Sequence, residues 1–245
     1  MRRLAVLLLL LMLPIQAWSA IANVQCITGT WSSGTSWTAS ITATTGNLIV
    51  GSLHFWAGNL DNDVTTYGDG GTNTYTEVDT EFRAVPAVGN HRLTTFYAKS
   101  ITGGALTFTV NTSTSVTDRA LTVLCEVSGA DATAPLDQHA EQYQVIPGTG
   151  TDAVSSGSVT TTTNGQYVYG ATIAHIALTT YTQGTGFTSA GTGTGFAGAE
   201  YLIQSSAGSI AATFTQSVNT DVTTMIATFK AASVGAVRRR SIILQ

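Results

Sequence analysis

Short runs of alternating apolar and polar residues recur along almost the whole chain, and this pattern constrains its fold more than any other feature. Clusters of Gly, Asn, Asp and Ser separate the runs, and such clusters favour turns. Beyond the first 20 residues no segment has the 3.6-residue apolar period of an amphipathic helix. About a dozen strands at this spacing predict an all-β chain, folded as a jelly-roll-like antiparallel β-sandwich.

A weak two-fold repeat divides the chain. ITATTGNLIVGSLHF (residues 41–55) is similar to TTTTNGQYVYGATIAHI (160–176), and both carry a glycine in the apolar strand, Gly51 or Gly170. Residues 101–130 and 205–233 are similar as well, each with a Thr-Phe-Thr strand. The repeat is compatible with two tandem domains or with two halves of one sandwich. Because no Pro- or Ser-rich linker separates the halves, we expect one domain over residues 23–233.

The first 22 residues have the three parts of a secretory signal peptide. Arg2 and Arg3 precede an apolar run over residues 4–13, and small residues follow. That run is too short for a membrane span, which needs about 20 residues. The alternative to a cleaved signal peptide is a retained membrane anchor. Cleavage is expected before Asn23, with a competing site before Ala20. The sequence therefore predicts a secreted protein, extracellular or at the cell surface, with the periplasm as an alternative.

The net charge of −4 conceals an acidic body. Five of the 10 basic residues lie in the leader and in the C-terminal segment 234–245. The body between them has the other five basic residues and the 14 acidic residues, so its net charge is about −9. Such a body should not bind nucleic acid, which proteins hold with Lys and Arg. It suits calcium, a cationic partner or simply solubility. The expected partner is a surface glycan or a protein. The basic and apolar tail RRRSIILQ is either disordered or a docking peptide for another subunit.

Cys26 and Cys125 are the only cysteines. In an oxidising compartment they are expected to form a disulfide that closes a loop of about 100 residues. The alternative is two separate buried thiols.

Residues 67–99 predict a long β-hairpin whose first strand places Glu77, Asp79 and Glu81 on one face. The segment EVDTEF (77–82) resembles the E-[I/V]-D-x-E motif of the laminarinase and lichenase group of retaining glycoside hydrolases, which are secreted jelly rolls. The resemblance implies Glu77 as nucleophile, Asp79 as the residue that tunes it, and Glu81 as acid/base. The alternative is a solvated acidic strand that deters edge pairing.

A binding surface is expected around Trp56, Tyr67, Asp69 and Tyr75, because exposed aromatic rings can stack on sugars. The alternative places these rings in the core or in cross-strand pairs. Loops carry binding function in β proteins, so segment 57–71 and the glycine-rich segment 183–198, expected as a flexible loop, are the candidates.

Asp61, Asp63 and Asp69 offer oxygen ligands of the kind that calcium uses, although an ordinary Asp/Asn turn has the same composition. A structural calcium ion is the one cofactor that the sequence suggests. The four histidines show no paired spacing for zinc.

Several short motifs spread over the chain resemble a family of uncharacterised secreted or phage-associated β-sandwich proteins: TGNLIVG, DGGTNTYT, FYAKSITGG, VSGADATAPLD, TQGTGF and ATFKAA. The resemblance implies surface or assembly roles without established catalytic residues. The leading hypothesis is a secreted, non-enzymatic β-sandwich for surface binding, adhesion or structural assembly, with carbohydrate as a candidate ligand. The alternatives are a retaining β-glucan hydrolase using Glu77, Asp79 and Glu81, and a subunit of a surface or virion assembly, in which the tail docks and copies of the chain form a homo-oligomer.

Overall fold

The computed structural model describes residues 20–29, 34–57, 64–85, 89–116, 119–147, 150–193 and 195–233. Within them there are 18 strands and no helix, which confirms the all-β prediction. The strands of the first half are β1 (Ala22–Gly29), β2 (Gly34–Ala43), β3 (Leu48–Ala57), β4 (Val64–Gly68), β5 (Thr76–Val85), β6 (Gly89–Ala98), β7 (Gly104–Val116) and β8 (Arg119–Ser128). Those of the second half are β9 (Leu136–Gln144), β10 (Asp152–Ser155), β11 (Val159–Thr160), β12 (Gln166–Ala174), β13 (Tyr181–Gln183), β14 (Thr188–Gly193), β15 (Ala197–Gln204), β16 (Ser209–Ile210), β17 (Thr213–Gln216) and β18 (Val222–Phe229).

Two five-stranded antiparallel sheets pack face to face at the centre of the molecule, as in a β-sandwich. The first inner sheet has the order β1-β8-β3-β6-β5, and the second inner sheet has the order β14-β15-β12-β18-β9. An outer sheet, β2-β7-β4, covers the first inner sheet. The second inner sheet is covered by β10-β17-β13 and by the short pair β11-β16.

The strand orders of the two halves correspond. Taken from its other edge, the second inner sheet is β9-β18-β12-β15-β14, which matches β1-β8-β3-β6-β5 strand for strand. The outer sheets β2-β7-β4 and β10-β17-β13 match in the same way. The jelly-roll part of the prediction stays a prediction, but the similar sequence segments fall on corresponding strands.

A shared apolar core joins the two halves. It contains side chains of the first inner sheet, such as Val50, Leu93 and Val123, together with Ile173 and Met225 of the second. A separate core lies between the first inner sheet and its outer sheet, and it includes Phe96 and Phe108. The halves therefore bury apolar surface against each other, which is the main source of folding free energy.

The predicted disulfide is present between Cys26 and Cys125. The two residues are direct partners in the register of β1 and β8, and Cys125 is fully buried. The bond closes a loop between positions 99 apart in the sequence, so it constrains the first half as a unit.

Residues 1–19 and 234–245, which hold most of the predicted signal peptide and all of the predicted docking tail, lie outside the described residues. At the start of the described chain, Ile21 is buried in the shared core and β1 starts at Ala22. Within the part of the chain that the structure describes, no helix has the length and hydropathy to cross a membrane.

Most of segment 183–198, expected as a flexible loop, forms strands, so that expectation is wrong. Its β14 is an edge strand of the second inner sheet and lies against β1 and β8 of the first. A Cβ on Gly191 would come within 2.7 Å of Thr28 Cγ2 and 3.2 Å of Val123 Cγ2. The small residues of this segment thus permit a close approach between the sheets.

Candidate functional site: a cleft between β4 and β5

A cleft opens at one edge of the first half, where β4 is the edge of the outer sheet and β5 the edge of the inner sheet. Its volume is about 680 Å³, within the range of roughly 300–1,000 Å³ typical of small-ligand sites. Strands β4 to β7 and the glycine-rich turn before β5 supply its lining: Val64, Thr65, Thr66, Tyr67, Gly68, Gly70, Gly71, Asn73, Tyr75, Glu77, Arg92, Thr109 and Asn111.

Two tyrosine rings, Tyr67 and Tyr75, line the cleft, and two buried phenylalanine rings pack beneath them. Phe96 and Phe108 stack with centroids 5.1 Å apart. Tyr67 packs on Phe96 at 5.3 Å, and Tyr75 packs edge-on against Phe108 at 5.0 Å. The structure therefore brings together two of the four predicted binding residues, with their rings half-buried.

Asp69, the third predicted binding residue, shapes the cleft wall. Its carboxylate accepts hydrogen bonds from the Asn73 backbone N at 2.9 Å, the Asn73 side-chain amide at 2.6 Å and the Tyr75 hydroxyl at 3.4 Å. Asn73 in turn accepts a bond from the Thr102 backbone N at 2.7 Å. These bonds fix the turn that carries Tyr75, so Asp69 positions the site.

Glu77 and Arg92 supply opposite charges beside Tyr67. Arg92 Nη2 lies 4.0 Å from Glu77 Oε2, and Arg92 Nε donates to the hydroxyls of Thr80 and Thr94 at 3.2 and 3.1 Å. Burial, and secondarily the Glu77 carboxylate, raises the pKa of Tyr67 to about 12. The cleft thus offers a protonated phenol, a carboxylate and an oriented guanidinium.

A β-bulge divides the acidic motif. Glu77 pairs with Phe96 of β6, but the register then shifts and Asp79 pairs with the adjacent Thr95. Adjacent residues of a strand point to opposite faces. Glu77 therefore faces the cleft, while Asp79 and Glu81 face the second inner sheet, and the prediction of one acidic face is wrong because Val78 is an extra residue.

The second face of β5 meets β9 in a polar contact, which we call the β5–β9 seam and define by Asp79, Glu81 and Arg83 of β5 and His139, Glu141 and Tyr143 of β9. Asp79 Oδ2 lies 2.8 Å from His139 Nδ1, and the Arg83 guanidinium lies 3.4 Å above the Tyr143 ring. Arg83 Nε is also 2.8 Å from Glu81 Oε1. The pKa of Glu141 is raised by burial and by the nearby carboxylates of Glu81 and Asp79.

Trp56, the fourth predicted binding residue, lies in the shared core and does not line the cleft. It is 6% exposed, and its ring packs edge-on against His91 at 4.6 Å. Its position in β3, the central strand of the first inner sheet, accounts for the burial.

The calcium site stays a prediction. Asp61 and Asp63 lie outside the described residues. The Asp69 carboxylate is engaged by Asn73 and Tyr75. Among the described residues, no three His, Cys, Asp or Glu side chains are grouped as metal ligands.

The corresponding place in the second half is filled. Gly51 pairs with Phe96 and Gly170 with Glu200, so Glu200 occupies the position of Phe96. Four residues before each of these positions, Phe196, which directly precedes β15, takes the place of Arg92 of β6. Both Phe196 and Glu200 are buried.

Tyr181 corresponds to Tyr67. In each half, the tyrosine pairs with the residue that lies two positions after the phenylalanine of the Thr-Phe-Thr strand. Tyr181 is buried against Phe214, whereas Tyr67 is half-buried at the cleft. The open site with paired charges is therefore a property of the first half.

Comparison with protein-family models, with curated proteins and with solved structures gave no match. Sequence reasoning found Tyr67, Asp69, Tyr75 and Glu77 but missed Arg92. The signal for Arg92 was available, because an arginine in a strand that returns opposite an acidic strand is a candidate cross-strand partner for a carboxylate.

Proposed function

We propose that this chain is a non-enzymatic binding module and that it holds a hydroxyl-rich ligand, a glycan, in the cleft between β4 and β5. One observation carries the proposal: two tyrosine rings and a Glu77–Arg92 pair line a single cavity of about 680 Å³. The rings provide apolar faces for the C–H surface of a sugar, and the polar groups fix its orientation.

The polar groups suit hydroxyls better than a charged ligand. A hydroxyl both donates and accepts, so it can bond to the Glu77 carboxylate and to the Arg92 guanidinium at once. The Glu77 carboxylate and the acidic body would repel a polyanion, and Arg92 would repel a polycation. A neutral saccharide meets neither obstacle.

The divided motif favours binding over hydrolysis. Retaining glycoside hydrolases need two carboxyl groups about 5–5.5 Å apart on one side of the scissile bond. The bulge turns Glu77 toward the cleft and Glu81 toward β9, where Glu81 pairs with Arg83. The alternative of a surface or virion assembly rests on tail residues that lie outside the described ones.

Export of the protein is supported by two features. The first 22 residues resemble a secretory leader, and the disulfide suits an oxidising compartment.

The matched variants Glu77→Gln and Glu81→Gln test the proposal, because they make the same change on opposite faces of one strand. Glycan-array screening of the full chain at pH 7 identifies the ligand, and calorimetry gives its affinity. We expect Glu77→Gln to weaken binding about tenfold or more, as for loss of one charge-assisted hydrogen bond, and Glu81→Gln to leave it within about twofold.

Two further measurements complete the test. Arg92→Phe places the residue of the second half in the cleft and should abolish binding, while a reducing-sugar assay should detect no product. Product release that both glutamine variants abolish would overturn the proposal and identify a glycoside hydrolase. Affinity that is unaffected by Glu77→Gln and Arg92→Phe would place the ligand elsewhere.

A further inference from the structure

Strand β5 belongs to two surfaces at once. Glu77 lines the cleft from one face of the strand, and Asp79, Glu81 and Arg83 reach the β5–β9 seam from the other. As an edge strand, β5 is hydrogen-bonded only to β6. A displacement of β5 from β9 therefore changes the cleft as well.

The contacts of the seam are polar, whereas the opposite edge of the same interface is tightly packed. The seam is joined by the Asp79–His139 pair and by Arg83 above Tyr143, with Val78 packed against the shared core. At the other edge, Gly191 approaches Val123 closely. Because polar contacts join the strands at the seam, we expect it to open before the other edge.

Two fully buried histidines lie behind the seam. His91 pairs with Arg83 in the β5–β6 register, and its ring centroid is 5.1 Å from that of His175. His175 Nε2 bonds to Thr223 at 2.8 Å, and its ring lies 5.6 Å from the Tyr143 ring.

The charged and titratable groups around this pair come from every neighbouring element. Strand β5 contributes Asp79, Glu81 and Arg83, and β9 contributes His139, Glu141 and Tyr143. Strand β3 contributes His54, two residues before the register partner of His91, and Asp221, before β18, accepts a bond from Tyr143. Among these groups, Arg83 is the cation that pairs directly with His91 across the β5–β6 register.

Burial keeps both rings neutral. It lowers the pKa of His91 to about 4, and it lowers that of His175 to about 3 with further contributions from His91 and Arg83. A seam that opens lets both imidazoles regain an ordinary pKa of about 6.5. The open form then binds more protons than the closed form, so closure is favoured above about pH 6.5 and weakens as the pH falls toward 4.

We propose that acidification opens the β5–β9 seam, because protonated His91 and His175 and the Arg83 guanidinium repel one another there, and that the resulting movement of β5 releases the ligand of the cleft. The release of ligand rests on the proposed function. The opening of the seam does not.

Hydrogen exchange of the ligand-free full chain at pH 7 and at about pH 4.5, corrected for intrinsic rates, measures the opening. We expect protection of β5 and β9 to fall at least tenfold, with an upper limit of roughly four thousandfold if both rings become fully solvated. The central strand β12 should keep its protection. The double variant His91→Phe/His175→Gln cannot be protonated at these positions, so its protection of β5 and β9 should fall less than about threefold between the two pH values.

Two single variants keep the test valid if the double variant fails to fold. Arg83→Gln alters a partly exposed side chain, removes one of the three cations, and should move the midpoint of opening to lower pH. His139→Gln removes the Asp79–His139 pair but leaves the buried imidazoles of His91 and His175 in place. The ratio of hydrogen-exchange protection at pH 7 to that at about pH 4.5 should therefore match that of the wild type.

The outcomes separate the two proposals. Seam opening in a protein that binds no glycan at pH 7 contradicts the proposed function and supports the acid response. Glycan affinity that is equal at both pH values contradicts the release of ligand. Protection lost equally from all strands, or a midpoint unmoved by Arg83→Gln, overturns the acid response of the seam.

Discussion

Ser52 Oγ lies 2.7 Å from the Tyr169 hydroxyl, and this hydrogen bond joins β3 to β12, the central strands of the two inner sheets. Ser52 Oγ is also 2.7 Å from His54 Nε2. All three side chains are fully buried. A buried polar chain of this kind is stable only while each member has a partner, so it fixes how the two halves face each other.

The Tyr169→Phe variant should lower the free energy of unfolding by about 1 kcal/mol, because it removes the bond across the core but leaves Ser52 bonded to His54. Urea denaturation measures the change. Tyr201→Phe is the matched control, since its half-buried ring stacks on Tyr167 outside this polar chain, and should change stability little. Equal losses in both variants would show that the Ser52–Tyr169 bond contributes nothing.

Gly51→Ala should destabilise the protein by about 3 kcal/mol, at the upper end of the range for overpacking. A Cβ at this position would lie 2.5 Å from the Val123 carbonyl oxygen and 2.6 Å from Phe96 Cζ. Thermal unfolding of the variant measures the loss. A change below about 0.5 kcal/mol would mean that β3 can shift away from β8 without cost.

A chain that begins at Asn23 should be less stable than one that begins at Ala20. Ile21 is 5% exposed in the shared core, and burial of such a side chain contributes about 2 kcal/mol. Comparison of the two chains by urea denaturation tests this. If the protein is exported, the same argument favours processing before Ala20, the competing site, and sequencing of the secreted amino terminus would identify it.

Reduction of the Cys26–Cys125 bond should lower stability by about 3–5 kcal/mol, because the bond restricts a long loop in the unfolded chain. Denaturation with and without a reductant measures the difference. The Cys26→Ala/Cys125→Ala variant, which cannot form the bond, should show no effect of reductant. A response of that variant would assign the loss to the reductant itself.

Glu200 should make the protein less stable as the pH rises from about 4.5 to 7. Burial raises the pKa of this carboxyl to about 7, although it accepts bonds from the backbone N of Gly184 and Thr213. The native state then holds a proton that the unfolded state releases in that window, which costs about 3 kcal/mol by pH 8.

The Glu200→Gln variant should lack this loss of stability. The difference between its free energy of unfolding and that of the wild type should therefore grow as the pH rises from about 4.5 to 7. The buried histidines have the opposite pH dependence but are common to both proteins and cancel in the difference. Parallel stability curves would show that Glu200 has an ordinary pKa.

The sequence predicted those features that depend on alternation and on residue type. The strands, the disulfide and the similar positions of Gly51 and Gly170 could all be read from it. It could not reveal the bulge at Val78, because an inserted residue leaves the pattern of letters unchanged and alters only the pairing with β6. Glu200 and the histidines behind the seam were missed for a related reason, since their burial depends on strands distant in the sequence: Glu200 is bonded to the backbone of Thr213 in β17, and His91 packs against His175 of the other half.

The two ends of the described chain lie beside the link between the halves. Ala22 pairs with Ser128, and Ala231 forms a bridge to Ala130, so both ends emerge next to residues 128–130. A short peptide should therefore be able to connect them, which makes the fold a candidate for circular permutation. New ends opened within residues 129–135 would exchange the order of the halves while leaving every sheet intact.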